Sequence, residues 1–358
     1  MGRRYCKFFS ECKKKAVYKI PYTNLYLCKE HFIENLEKRV RRFIEKKHLI
    51  HPWHPKYSRY REKILIALSG GKDSQVLLHV MKHLYPDEII EGIYIELGIS
   101  HGDYSLDSEK IARATCKKLD IPFHVADLKE EYGFSIDDIY ELKNIFHENN
   151  WSLGSGHFRG QCSYCGTFKR YLINKYAAEH DFTCVATGHN LTDETTSLIN
   201  NFFNQNMLFL SRMDYKSDAD IEKLVPRIKP LYYITEEEIT VYAYFANVNH
   251  LPTECVYAKQ ANNLKLKDVL SEIESYRKGT MISLMKRYQK VLKPIVEDYM
   301  ENQSYQSENK HNKCNQCGFP TFANRCNFCK TVNFLQDRFR QAENRLDINI
   351  FNENAKNL

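Results

Sequence analysis

Residues 63–85 read KILIALSGGKDSQVLLHVMKHLY, and no other stretch leaves the fold less choice. KILIALS (63–69) contains the unbroken apolar run ILIAL (64–68), the pattern of a strand buried on both faces. GGKDSQVLLHVMKHLY continues as a turn and an amphipathic helix. A glycine-rich turn between a strand and a helix aims backbone N–H groups at an anion, and the helix dipole adds to the attraction. The spacing is neither GxxxxGK[ST] nor GxGxxG.

The pattern repeats along the chain. EIIEGIYIEL (88–97) reads as a second strand and SLDSEKIARATCKKL (105–119) as a second helix. PFHVADL (122–128), FTCVATG (182–188) and KLVPRIKPL (223–231) are further strand candidates. Strands alternating with helices predict an α/β fold with a doubly wound parallel sheet. The 358 residues leave room for one sizeable core with small appendages. No apolar run is long enough to span a bilayer, and the basic start, MGRRYCKFFSECKKK, lacks the apolar stretch of a signal peptide. A cytoplasmic protein is expected. Residues 256–305 read as polar helix, 302–312 as a linker, and the tail after Lys330 as helix or disorder.

Twelve cysteines in an intracellular chain point to metal rather than disulfides. Cys314-x2-Cys317 and Cys326-x2-Cys329 are paired knuckles that place four thiolates around Zn²⁺. Cys6, Cys12, Cys28 and His31 form a second zinc candidate. Its Cys28-x2-His31 half has knuckle spacing, whereas Cys6 and Cys12 lie further apart than usual. Cys116 on a helix and Cys184 inside an apolar strand read as core thiols. Cys162, Cys165 and Cys255 remain. Cys255 follows the last strand and a helix, so the chain can return it to the C-terminal edge of the sheet, where such folds build sites.

The formal net charge is +7, and its distribution says more than its size. Residues 36–63 carry ten Lys/Arg against three Asp/Glu, interleaved with Phe43, Trp53, Tyr57, Tyr60 and histidines. Such a stretch suits phosphate backbones and exposed bases, with Arg39, Arg41 and Arg42 as the candidate nucleic-acid contacts. Its plain alternative is a solvated helix face.

Ser69-Gly70-Gly71-Lys72-Asp73-Ser74 resembles the signature of the PP-loop ATP pyrophosphatases, of adenine nucleotide alpha hydrolase-like fold. GQCSYCGTFKR (160–170), ATGHNLTDE (186–194), RIKPL (227–231) and LPTECVYA (251–258) follow in order. Together they resemble the TtuA/NcsA family of tRNA 2-thiouridine synthetases, over roughly residues 1–330. The chain departs from that pattern at the Cys6–Cys12 spacing, in the tail, and at Thr192, where an acidic residue is expected. The resemblance implies an N-terminal zinc finger (1–35), a basic helix and linker (36–62), a PP-loop domain (63–258), a helical extension (259–311), a zinc ribbon (312–332) and a tail (333–358).

The resemblance also implies roles. Ser69 to Ser74 and Gly188 would surround ATP with Mg²⁺, for which Asp73 is a ligand or else a helix N-cap. Lys169 and Asp193 would be catalytic. His189 and Asn190 would line the site or support it. Cys162, Cys165 and Cys255 would bind a [4Fe-4S] cluster with one iron open to sulfur; a metal-free persulfide site and an incomplete zinc site are the alternatives. The implied reaction adenylates the C2 oxygen of a tRNA uridine and then replaces it with sulfur. The partners expected are tRNA, a sulfur donor (a ubiquitin-like thiocarboxylate or free sulfide) and a second copy in a homodimer. Competing classes are another PP-loop synthetase, amide-forming or tRNA-modifying, and a non-catalytic tRNA-binding scaffold.

Overall fold

The computed structural model describes residues 5–23, 25–51, 61–153, 156–217, 221–258, 263–302 and 312–346. Trp53, Tyr57, Tyr60, most of the 302–312 linker and the last twelve residues therefore lie outside the described residues. A small antiparallel pair, β1 (Tyr18–Lys19) and β2 (Tyr26–Leu27), precedes helix α1 (Lys29–Lys46). Then β3 (Lys63–Leu68), α2 (Lys72–Leu84), β4 (Ile89–Glu96), α3 (Tyr104–Lys118) and β5 (Phe123–Asp127) alternate. Helices α4 (Leu128–Tyr132), α5 (Ile136–Glu148) and α6 (Gln161–Glu179) lead to β6 (Cys184–Ala186). Next come α7 (Leu191–Phe203), α8 (Met207–Ser211), β7 (Arg227–Ile228) and α9 (Glu236–Ala246). The chain continues through α10 (Asn263–Tyr276), α11 (Thr280–Arg287), a π-helical turn at Tyr288–Leu292 and α12 (Lys293–Asn302). It closes with β8 (Asn312–Lys313), β9 (Pro320–Thr321) and α13 (Asn327–Leu346).

The central sheet has the order β5-β4-β3-β6-β7, and every pairing is parallel. β3 sits in the middle, which is why its sequence is apolar on both faces. Ile64 and Ile66 join a core with α1, α2 and α9, while Leu65 joins another with α5, α6 and α13. Cys116 and Cys184 are buried in the first core, as expected of small apolar residues. The chain runs outward from β3 to β5, then crosses to β6 and β7. This reversal opens a crevice between the C-terminal ends of β3 and β6, where open α/β sheets bind ligands.

Four expectations need adjusting. KLVPRIKPL forms only the two-residue strand β7, because Pro226 and Pro230 bracket it and donate no ladder hydrogen bond. The division at residues 35/36 falls inside α1, whose apolar stripe of Phe32, Leu36, Val40 and Ile44 is one continuous buried face. The division at 332/333 falls inside α13, which buries Leu335, Phe339 and Ala342 with the core that holds Cys314, Cys326 and Cys329. The chain after residue 332 is therefore a packed helix as far as Leu346, not a tail. The helical extension is likewise no appendage: α10 and α11 pack on α7 and share a core with Leu191 and Leu198.

Candidate active site

The turn after β3 is tightly determined. Gly70 has φ +74, and a Cβ there would lie 2.7 Å from the Cα and carbonyl oxygen of Ser108 on α3. Glycine is needed both for the left-handed backbone and for the close approach. The Ser74 hydroxyl donates to the Gly71 carbonyl at 3.0 Å and accepts from the Ser69 N–H at 3.1 Å, closing the loop on the first turn of α2. Gly188 lets the β6–α7 turn press against the loop, since a Cβ there would meet the backbone of Asp73 and Ser74 at 3.0 Å. The Leu251 N–H donates to the Gly70 carbonyl at 2.9 Å, which ties the segment leading to Cys255 to the same loop.

A cavity of about 360 Å³ opens over this edge. Ser69, Asp73, Ser74 and Gly188 line it, together with Lys169, His189 and Asp193. Ala67, Leu68, Ile95 and Ile173 supply an apolar wall. Lys72 is not among its lining residues: its ammonium is paired with Glu236 and lies 3.4 Å from Asp73. Gly70 and Gly71 shape the turn rather than line the cavity.

Asn190 caps α7, accepting from the N–H groups of Thr192 and Asp193, and donates to Asp73 at 3.0 Å. Asp193 completes the capping box and pairs with Lys267 of α10 at 3.1 Å. Lys267 also pairs with Glu236 at 2.6 Å. Burial pushes the Asp73 carboxyl up; Lys72 draws it back, and Asp193 and Glu236 push it further up. A carboxylate crowded in this way fits a divalent cation, which would relieve the repulsion. Thr192, the departure from the expected acid, is buried and accepts from the Glu236 N–H at 3.2 Å, so its role is structural.

The opposite wall is cationic. Arg170 and Arg227 both face the cavity; burial lowers the pKa of each, and like charge lowers them further, from Arg159 on Arg170 and from Arg170 on Arg227. Neither forms an ion pair with a carboxylate among the described residues. Burial and the Lys229 ammonium push His189 down to about 4, so its ring is neutral at pH 7, with Nδ1 3.0 Å from the Thr187 hydroxyl.

Cys162 and Cys165 occupy the first turn of α6, one to two turns before Lys169. Cys162 Sγ lies 3.4 Å from the Tyr257 carbonyl, which brings it beside the Cys255 loop. Burial raises both thiols, Cys165 to about 12; Cys255 raises both further, while Lys169 pulls both down. The three thiols are therefore neighbours, though their sulfur atoms are not gathered as closely as those of the two sets below, and Lys169 belongs to their surroundings as well as to the cavity. A purely sulfur donor set suits an iron–sulfur cluster.

Two other sets each draw four ligand atoms within 4.8 Å of one another: Cys6, Cys12, Cys28 and His31, and Cys314, Cys317, Cys326 and Cys329. The long Cys6–Cys12 loop thus closes after all. In the second set, the Cys326 N–H donates to Cys314 Sγ at 3.3 Å and the Cys329 N–H to Cys326 Sγ at 3.4 Å. Backbone donors aimed at sulfur stabilise thiolates, and both sets fit a tetrahedral metal ion.

The basic helix is less uniform than its sequence. Arg39 pairs with Glu238 at 2.7 Å, and Arg41 donates to the Leu84 carbonyl at 3.4 Å. Among the three arginines singled out from the sequence, Arg42 is exposed and has no such contact. Sequence reasoning missed Lys267, Glu236, Arg170 and Arg227. RIKPL and FKR were visible as motifs, but nothing in the sequence joins α10 to Asp193.

Comparison with known proteins agrees with this geometry. Residues 10–33 match the N-terminal LIM domain of the 2-thiouridine synthetase TtuA, and residues 33–150 match the PP-loop domain. The tRNA-5-methyluridine(54) 2-sulfurtransferase of Pyrococcus horikoshii is 36% identical over 325 residues, covering 91% of this chain and 92% of that protein. Its Thermus thermophilus counterpart is 32% identical over 336 residues, covering 93% and 92%. The U34-tRNA thiolase NcsA from Methanococcus maripaludis, solved with its [4Fe-4S] cluster, has the same fold at a TM-score of 0.67 and 23% identity, over 89% of this chain and 93% of that one. A phosphate loop at the switch point, neighbouring thiols beside it, and full-length likeness at this identity leave one conclusion: the chain belongs to the family of PP-loop tRNA 2-sulfurtransferases.

Proposed function

We propose that the protein uses ATP to activate the C2 oxygen of a tRNA uridine and then replaces that oxygen with sulfur. One observation carries the reading. Lys169 lines the cavity over the phosphate loop and also acts electrostatically on Cys162 and Cys165, so activation and sulfur delivery share one centre.

In the first step the uridine C2 oxygen attacks the α-phosphorus, and the bond to pyrophosphate breaks. The Ser69–Ser74 turn and the α2 N-terminus hold the phosphates. Asp73 would hold Mg²⁺, which would offset negative charge on the phosphates, while Lys169, Arg170 and Arg227 face the charge that develops on the phosphoryl oxygens. Asp193, fixed by Asn190 and Lys267, would take a proton at the reacting edge. In the second step sulfur bonds to C2, the C–O bond breaks, and AMP leaves with the former C2 oxygen. A [4Fe-4S] cluster held by Cys162, Cys165 and Cys255 would supply an iron free of protein ligand for sulfur delivery. The two four-ligand sets are proposed as structural Zn²⁺ sites. No described helix is long and apolar enough to cross a membrane.

The test is anaerobic purification with iron, zinc and acid-labile sulfide analysis, followed by incubation with unmodified tRNA, ATP and sulfide. Nucleoside mass spectrometry should show 2-thiouridine only when ATP is present, and mapping shows which uridine changes. Thiolation without ATP would overturn the activation step. Full activity in iron-free protein would overturn the cluster.

A further inference from the structure

A second cavity, of about 640 Å³, shares no lining residue with the first. It runs between α1 and the helical extension. Arg42, Lys46 and Lys47 stand on one side, and Lys286 and Lys290 on the other. Among the described residues, no acidic side chain lines it. Its floor includes Tyr215 and Tyr233, both half-buried. Lys47 Nζ sits 4.9 Å from the Tyr215 ring centroid, and Lys286 Nζ 6.0 Å from that of Tyr233.

Five cations, with a sixth, Arg39, held by Glu238, thus surround half-buried aromatic rings, and none of the five faces an acidic residue among the described residues that line the cavity. A polyanionic partner would relieve the charge repulsion among them more strongly than dissolved salt does. Rings interleaved with cations are the means by which proteins hold a sugar–phosphate backbone and stack an unpaired base. A second observation agrees. The helix that carries Lys286 and Lys290 is π-helical at Tyr288–Leu292, a departure from α-geometry that is common at functional sites. Gln289 within it is anchored on the Tyr232 hydroxyl at 2.7 Å, which fixes the turn between the two lysines. The segment from Arg227 to Ile234 borders both cavities, so a strand held in the groove lies beside the catalytic edge.

We infer that this groove is the docking surface for an unpaired segment of the tRNA, with phosphates on Arg42, Lys46, Lys286 and Lys290 and a base against Tyr215 or Tyr233. The inference rests on the reading of the protein as a tRNA-thiolating enzyme and adds where the RNA sits. It moves the principal contacts away from Arg39 and Arg41, which are engaged within the protein.

The experiment uses full-length protein and unmodified tRNA transcript, with binding measured by fluorescence anisotropy across a salt series. Lys286→Ala/Lys290→Ala changes two exposed side chains and leaves the cores intact. Binding should weaken roughly ten-fold at low salt, and the slope of log affinity against log salt should fall by about 1.4, or about 0.7 per lost phosphate contact. Steady-state kinetics should show a higher KM for tRNA with kcat retained. Arg42→Ala should act in the same direction by half as much in the slope. An unchanged affinity and slope in both variants overturns the inference while leaving the proposed function standing. Unchanged tRNA binding with lost activity only when sulfur is supplied by a protein donor, and not with free sulfide, assigns the groove to a protein and also overturns it. If the unsubstituted protein binds no tRNA, the functional reading falls, and this inference with it.

Discussion

Replacing Gly70 with alanine should damage the protein far more than the same change at Gly71, one residue along. At Gly70 the backbone has φ +74, and the new methyl would sit 2.7 Å from the Cα and carbonyl oxygen of Ser108. Ser108 is fully buried within α3 and has no room to retreat. Left-handed backbone costs about 1–2 kcal/mol for a residue with a Cβ. Forcing extra volume into a packed site adds about 1–3 kcal/mol. The sum is a loss of about 2–5 kcal/mol, partly relieved if the loop shifts. At Gly71 the backbone is extended, and the methyl would meet only the Ser69 hydroxyl, at 3.5 Å. The gain of roughly 0.4–1 kcal/mol from a stiffer unfolded chain there offsets alanine's weaker capping of α2, leaving the net near zero. Urea unfolding of both variants, read by circular dichroism, measures the difference. Because a displacement of about 1 Å near the chemistry costs on the order of 100-fold in rate, Gly70→Ala should also lose tRNA-dependent pyrophosphate release. Equal stability and equal activity in the two variants would refute the close-approach argument.

Cys162→Ser, Cys165→Ser and Cys255→Ser should each lower iron and sulfide while zinc stays bound; full iron in Cys255→Ser removes that residue from the set. Cys314→Ala should lower zinc and loosen α13, because the knuckle shares its core with Phe328 and Leu335; hydrogen exchange along 327–346 reads this directly. Lys267→Met should destabilise the site by about 1.5–3 kcal/mol at neutral pH through loss of hydrogen bonds between charged groups. Burial works to raise the Glu236 carboxyl, but Lys267 and Lys72 outweigh it and hold it below the usual range. The stability from this depressed carboxyl is therefore present above its unfolded pKa and disappears as pH falls through its folded one. Unfolding of both proteins should converge in acid below the usual carboxylate range; a gap that persists there contradicts the ion-pair account.

Much of this site could be read from the chain because its parts are local. A strand, a tight turn and a helix lie within 23 residues, so Ser69–Ser74 needed no tertiary knowledge. The two CxxC knuckles are local as well. Cys116 and Cys184 were recognisable as core thiols from the apolar pattern around them. What escaped depends on contacts between distant elements. Lys267 reaches Asp193 only because α10 packs on α7, 74 residues away in sequence. Arg41 looked free until α1 was laid against the end of α2. The tail after Lys330 stayed open between helix and disorder because its apolar positions, Leu335, Phe339 and Ala342, are too sparse to decide without the α5–α6 surface they cover.

The central claim is that the uridine C2 oxygen itself attacks ATP, and an isotope follows that atom. A tRNA transcript carrying ¹⁸O at uridine C2 is thiolated with unlabelled ATP and sulfide, and the released AMP is weighed by mass spectrometry. The mechanism predicts one ¹⁸O in AMP for each 2-thiouridine formed. AMP without label, alongside normal thiolation, would contradict it.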